Sequence, residues 1–193
     1  MGIEFELKFR ATPEQLAAIA LLVEGKQTHF SMHTTYYDTP DGDLSHRHYT
    51  LRRRMENENS VCTLKFPAGE LGRGEFELEC DHIENALPEL CKQSELADLP
   101  ELLKKGIIPV CGAKFDRTAI TVELVGATVE WALDRGILYG GGREENLCEV
   151  EIELKAGPRQ VVAAYAAQMA SRFGLVSETS SKFRRALALA RGE

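Results

Sequence analysis

The sequence predicts an α+β fold: about eight short antiparallel strands, each with one apolar and one charged face, backed by helices. Three observations predict it. The first stretch, Ile3-Glu4-Phe5-Glu6-Leu7-Lys8-Phe9, alternates apolar and charged residues without a break. Successive side chains of a strand point to opposite faces, so Ile3, Phe5, Leu7 and Phe9 share one side and Glu4, Glu6 and Lys8 the other. The same design returns at Cys148-Glu149-Val150-Glu151-Ile152-Glu153-Leu154-Lys155, and several strands between carry charge on one face only. Finally, amphipathic stretches punctuated by Gly and Pro read as helices, which need an apolar sheet face to bury against.

The chain has 193 residues, 44 % of them hydrophobic and 27 % charged, which is ordinary for one globular domain, expected over 1–193. No apolar run is long enough to span a bilayer, and the charged first strand is unlike a signal peptide, so no membrane association is expected. Five cysteines without a C-x-x-C spacing argue against a disulfide framework or a zinc site and suggest a reducing, cytoplasmic setting. The net charge of −7 argues against nucleic acid as a partner, but leaves room for a small polyanion in a local basic cluster.

In chain order, Thr12-Pro13-Glu14-Gln15 is a capping box that opens a packing helix, with Gly25 as its stop. Residues 31–38 read as a strand ending in the turn Thr39-Pro40-Asp41-Gly42, where Asp38 is expected to cap rather than to bind. His46-Arg47-His48 is expected in a loop. In Tyr49–Met55, Arg52 and Arg54 share a face opposite Leu51 and Met55, with Arg53 on the apolar side. Thr63 and Lys65 share a face in the next strand. After a loop from Gly69 to Gly74, Arg73, Glu75, Glu77 and Glu79 alternate with Phe76 and Leu78. Residues 84–112 are expected to form short helices, an insertion covering one side of the sheet. Strands resume at 115–123, where Arg117 opposes Ile120 and Val122, and at 129–134, where Glu130 and Asp134 oppose Val129, Trp131 and Leu133. Arg135-Gly136 is expected to turn into a short strand at 137–139, followed by a flexible connection at Gly140–Gly142. An Ala-rich helix runs from Gly157-Pro158 to Gly174, and a last helix after Ser181 can place Lys182 and Arg185 on one face.

Such strands fit either an open sheet with one face in solvent or a closed barrel with a polar interior and helices packed outside. The charged faces hold Glu, Arg and Lys rather than a mixture of small polar residues. Acids cluster on the first and later strands and arginines on the middle ones. That sorting favours a site with two halves, one for metal and one for anion. Two carboxylates about 7 Å apart on one strand face can hold a hard divalent cation.

Glu4-x-Glu6-x-Lys8 resembles the signature of the CYTH superfamily, the triphosphate tunnel metalloenzymes. Tyr36-Tyr37-Asp38-Thr39-Pro40, Leu51-Arg52-x-Arg54, Thr63-x-Lys65, Arg73-x-Glu75, Arg117, Glu130 with Asp134, Glu149-x-Glu151, and Ser181-Lys182 with Arg185 agree in order over nearly the whole chain. The resemblance implies a closed eight-stranded antiparallel barrel that binds a linear triphosphate end-on with Mg²⁺ or Mn²⁺. It implies phosphate-binding and catalytic roles for Lys8, Arg52, Arg54, Lys65, Arg117 and Lys182. It implies metal-binding roles for Glu4, Glu6, Glu130, Asp134, Glu149 and Glu151, with Glu153 on the same face as an alternative to a neighbour. Arg73, Glu75, Glu77 and Arg185 are expected to be supporting ion-pair partners, Arg185 within reach of substrate. The expected activity is hydrolysis of inorganic triphosphate. Alternatives are an adenylate cyclase releasing pyrophosphate from ATP, a thiamine or nucleoside triphosphatase, or a module that binds triphosphate without turning it over. Phe5, Phe66, Phe76 and Trp131 oppose the charged row and are expected to stay out of the site, whereas Tyr36, Tyr37 and Tyr49 could stand at its mouth.

Overall fold

The computed structural model describes residues 2–69 and 72–193, with the backbone alone for residues 2–4. β1 (Gly2–Glu4) and β2 (Glu6–Arg10) are parted only by Phe5, and α1 (Pro13–Leu22) follows. β3 (Lys26–Asp38) leads through the single turn of α2 (Asp43–His46) to β4 (Thr50–Glu56), β5 (Asn59–Pro67) and β6 (Arg73–Glu79). Then come α3 (Ile83–Ser94), α4 (Leu99–Leu103) and three long strands, β7 (Ile108–Leu124), β8 (Ala127–Gly140) and β9 (Arg143–Ala156). α5 (Arg159–Phe173), the two-residue β10 (Val176–Ser177) and α6 (Lys182–Arg191) complete the chain. Among the described residues, no helix is long and apolar enough to cross a membrane.

Among the described residues the strands form one antiparallel sheet in the order β1-β6-β5-β4-β3-β7-β8-β9-β2-β10. β1 pairs with β6 and β2 with β9. Counting β1 and β2 as one strand and setting aside β10, eight longer strands remain.

Local chemistry accounts for most boundaries. Thr12 Oγ1 accepts from Gln15 N (3.2 Å) and Gln15 Oε1 from Thr12 N (2.7 Å), so two of the free donors at the start of α1 are satisfied. Asp38 is buried and accepts from the amides of Thr39, Leu44 and Ser45, which makes it the turn anchor that its place before Thr39-Pro40 suggests. α5 ends at Gly174 in the left-handed conformation.

Three expectations of the local fold need correction. The helical insertion ends earlier than 112, because residues 108–112 already belong to β7. There is no turn at Arg135-Gly136: β8 runs unbroken through it. Gly136 answers a different demand, since a Cβ there would stand 2.1 Å from the carbonyl oxygen of Lys114 on the neighbouring strand. Gly140–Gly142 is a tight hairpin joining β8 to β9, with Gly140 paired to Arg143.

The apolar faces are covered in two places. Under α1 and α5 lie Phe9, Trp131, Val150 and Ile152, packed on Ile19, Val162 and Ala166. Under α2, α3 and α4 lie Leu51, Cys62 and Leu64, packed on Leu44, Leu90 and Leu99.

α6 overturns the expectation that every helix packs outside. It lies on the opposite face of the sheet, the face that carries the charges. Its Phe183 and Ala186 pack on Met32, Tyr36, Phe115, Leu138 and Leu147, which are in alternation phase with Arg117, Asp134 and Glu149. Along β7, β8 and β9 this face therefore changes from apolar at one end to charged at the other. α6 matches both, because it buries Lys182 beside Phe183 and Ala186. Its seat is close: a Cβ on Gly140 would stand 2.6 Å from the carbonyl oxygen of Ala186. Gly140→Ala is therefore expected to push α6 outward and to cost about 1–3 kcal/mol in urea denaturation. A loss under 0.5 kcal/mol, taken as roughly the scatter of a surface change, would mean that α6 is loosely seated.

Candidate active site

The charged face borders a cavity of about 780 Å³. Cross-strand register builds its acidic wall. Glu6 on β2 is opposite Glu153 on β9, which is opposite Glu130 on β8. One step along, Lys8 is opposite Glu151. The basic wall comes from β4, β5 and β6, where Thr50, Lys65 and Glu75 form one row and Arg52, Thr63 and Glu77 the next. All six side chains expected to bind phosphate, Lys8, Arg52, Arg54, Lys65, Arg117 and Lys182, line this one cavity.

The ion pairs described on the basic wall are longer than those at the cavity floor. Arg52 lies 3.7 Å from Glu75 and 3.8 Å from Glu77, Lys65 lies 3.3 Å from Glu75, and Arg54 lies 3.6 Å from Glu56. Arg54 Nε also donates to Thr34 Oγ1 (3.1 Å). Burial and the neighbouring charges of Arg52 and Arg117 lower Arg54 to about 10, so it keeps its proton at neutral pH. A crowd of guanidinium groups held against their own repulsion favours an anion.

At the cavity floor the pairing is tight. Lys182 Nζ stands 2.8 Å from Asp134, 2.5 Å from Glu149 and 2.8 Å from Glu151. Arg117 forks onto Asp134 with two bonds of 2.7 Å and reaches Glu151 at 2.9 Å. Burial opposes the charge of Lys182, but Asp134, Glu151 and Glu149 outweigh it and hold the ammonium above the usual lysine range. Burial likewise opposes the charge of Asp134, where Arg117 and Lys182 prevail, and of Glu151, where Lys182, Arg117 and Lys8 prevail, so both lie below the usual range. Glu149 goes the other way: burial raises it to about 7, with Lys182 opposing and Glu151 adding to the rise. It has the weaker claim on the shared cations, because Arg117 serves the other two.

A carboxyl whose folded pKa is raised binds a proton in the folded state that the unfolded chain has already lost. Its contribution therefore falls as pH climbs from about 4.5 to about 7. In paired denaturation curves, the stability of wild type relative to Glu149→Gln is expected to fall across that window. A difference independent of pH would show that Glu149 stays ionised throughout.

The expected metal ligands separate into two groups. Glu6, Glu130 and Glu151 line the cavity, and so does Glu153. Asp134 and Glu149 do not: both are fully buried beneath Lys182. The side chain of Glu4 lies outside the described residues. Asp134, Glu149 and Glu151 offer ligand atoms within 4.8 Å of one another, close enough to hold a metal. Hard carboxylate oxygens suit a divalent cation such as Mg²⁺. An ammonium stands at each acidic group: Lys182 among Asp134, Glu149 and Glu151, Lys8 beside Glu6, and Lys155 between Glu130 and Glu153. Of these acids only Glu6, Glu130, Glu151 and Glu153 line the cavity where a substrate-bound cation would arrive.

Arg185 makes the ion pairs expected of it, but away from the substrate. It does not line the cavity, but donates to Glu145 and to Glu149 (2.9 Å). Arg73, Glu75 and Glu77 stand among the lining as supporting partners. Phe76 borders the cavity although it opposes the charged row, together with Phe30 and Gln93, because the lining extends past the strand edge to α3. Two charged lining residues, Glu56 and Lys155, have no role among the sequence-based expectations. Their signal was present: Glu56 is in phase with Arg52 and Arg54, and Lys155 with Glu149, Glu151 and Glu153. Lys155 bridges Glu153 (2.8 Å) and Glu130 (3.3 Å).

A sheet with one charged face, an acidic wall facing a basic one and an ordered set of motifs on the strands defines a class. The chain belongs to the CYTH domain family, whose model matches residues 2–187. It is 30% identical over 165 residues to the inorganic triphosphatase of Haemophilus influenzae, a match covering 80% of this chain and 46% of that protein. The chain thus spans about half the length of this relative. Among solved structures it resembles a Hippeastrum protein described as a putative adenylyl cyclase with a dominant triphosphatase activity. There the TM-score is 0.67 at 20% identity, covering 98% of this chain and 96% of that one. A putative adenylate cyclase from Bacillus halodurans is similar, with a TM-score of 0.64 at 19% identity over 94% of this chain and 96% of that one. At these identities the two structures speak for the fold, the α+β CYTH fold.

Proposed function

We propose that the chain is a divalent-metal-dependent triphosphatase that hydrolyses inorganic triphosphate to pyrophosphate and phosphate inside a closed antiparallel barrel. The observation that carries this reading is the convergence of Lys8, Arg52, Arg54, Lys65, Arg117 and Lys182 on one cavity opposite Glu6, Glu130, Glu151 and Glu153. Closure is supported by β1 and β2, which flank Phe5 and pair with β6 at one side of the sheet and β9 at the other. The triphosphatase activity of the Haemophilus influenzae relative supports the choice of reaction.

The chemistry follows from charge. Among the described residues, eight basic side chains and seven carboxylates line the cavity, close to balance. A triphosphate brings about four negative charges, so burying it calls for further positive charge. Glu6, Glu130, Glu151 and Glu153 would hold Mg²⁺ or Mn²⁺, which supplies that charge and lowers the pKa of a water. Arg52, Arg54 and Lys65 turn from carboxylate partners on their own wall to phosphate oxygens. Lys182, Lys8 and Arg117 face the reacting end and stabilise charge spreading onto its equatorial oxygens. α6 shields the floor from water.

A second reading has its own observation. Phe30, Phe76 and Gln93 border the cavity and could take an organic group attached to the triphosphate, as in ATP. Incubating the purified protein with Mg²⁺ and either tripolyphosphate or ATP, then separating the products, decides between them. Tripolyphosphate is expected to show the higher kcat/KM, with no cyclic AMP from ATP. Cyclic AMP as the main product would overturn hydrolysis.

A further inference from the structure

We propose that Arg185 is a positioning residue that sets the reach of Lys182 into the cavity by sharing the charge of Glu149. The inference rests on the reading that this cavity binds a triphosphate.

Glu149 is fully buried, and its two oxygens are divided between two cations of α6. Lys182 Nζ takes Oε1 at 2.5 Å and Arg185 Nη1 takes Oε2 at 2.9 Å. Lys182 and Arg185 are three residues apart, so both reach the same strand, β9. Arg185 is anchored from its other side by Glu145, a half-exposed residue four positions before Glu149 on β9 and outside the cavity lining. Carboxylates 145, 149 and 151 thus meet cations 185 and 182 along one seam, and only its inner end, Lys182 with Glu151, opens on the cavity.

The seam has an electrostatic consequence. With Arg185 present, the negative charge of Glu149 is divided, and Lys182 keeps part of its own for a phosphate oxygen. Without Arg185, the whole charge of a buried carboxylate falls on Lys182. The ammonium is then drawn to the floor and away from substrate, although Arg185 itself touches none.

A double-mutant cycle in triphosphate binding tests this, with Mg²⁺ present and tripolyphosphate and ATP as separate ligands in calorimetry. Both present the same phosphates to Lys182. Arg185→Gln is expected to weaken binding roughly tenfold to a hundredfold, the size of one charge-assisted hydrogen bond. In a Lys182→Gln background the same change is expected to have little further effect. Adding Glu149→Gln to Arg185→Gln is expected to restore most of the affinity, which a merely structural role for Arg185 would not allow. If Arg185→Gln fails to fold, Glu145→Gln removes only the outer anchor and is expected to act in the same direction, more weakly. Additive effects of Arg185→Gln and Lys182→Gln, or no recovery with Glu149→Gln, would overturn the inference. A wild-type preference for ATP would overturn the substrate reading alone and leave the cycle intact. A wild-type chain that binds neither ligand would overturn both.

Discussion

Replacing Lys182 with alanine is expected to cost about 3–5 kcal/mol of stability at pH 8, the size typical of stripping one partner from a buried charge cluster. Asp134 and Glu149 are fully buried, and Glu151 is nearly so. Arg117 would still hold Asp134 and Glu151, but Glu149 would keep only Arg185. Glu149 already titrates near 7, so the orphaned acids are expected to take up protons as pH falls. The deficit should therefore shrink between pH 8 and pH 5. Urea denaturation of wild type and mutant at both values measures it. A deficit below about 1 kcal/mol at pH 8 would mean that the three acids are neutralised some other way, by protonation or by a tightly held cation.

The largest effect on activity is expected from Glu4→Gln combined with Glu6→Gln. Glu6 lies on the acidic wall at the same level as Glu153 and Glu130, and Glu4 stands two residues before it, across Phe5 at the end of β1. The amide keeps the shape of the side chain and loses the charge that a hard cation requires. Metal charge at a reacting phosphate is worth several kcal/mol, so turnover should fall by about 10³-fold or more. Glu6 is only half-buried, so the fold should survive. Wild-type turnover in the double mutant, with unchanged circular dichroism, would remove these two residues from the metal site.

Much of the site was legible because period-2 alternation is local. Which face a side chain takes depends only on its place in its own strand. Lys8, Arg52, Arg54, Lys65 and Arg117 could thus be assigned to one face without knowing which strands are neighbours. Lys182 was reached through the motif order, since on a helix the same spacing says nothing about a sheet.

Depth was harder to read. Glu149, Glu151 and Glu153 are equivalent in sequence, each two residues from the next. They differ because the first stands under α6 and the last faces the cavity, a distinction made by a helix about thirty residues later.

Taken alone, the sequence determined the two faces of the strands, though not where β7 begins or that β8 runs unbroken, and also the capped start of α1 and the family. These rest on alternation, capping chemistry and motif order, which act within a few residues. Only the tertiary structure decided where α6 goes and what that does to the acids. The face of β7, β8 and β9 that meets α6 changes from apolar to charged along its length, and one short helix satisfies both parts, with Phe183 and Ala186 on the first and Lys182 on the second. That match exists only after register has brought Phe115, Leu138 and Leu147 together beside Asp134 and Glu149. No single strand contains it. The buried ammonium among three carboxylates is a product of long-range packing, and so is the division of the acids into those that hold the helix and those that face the cavity.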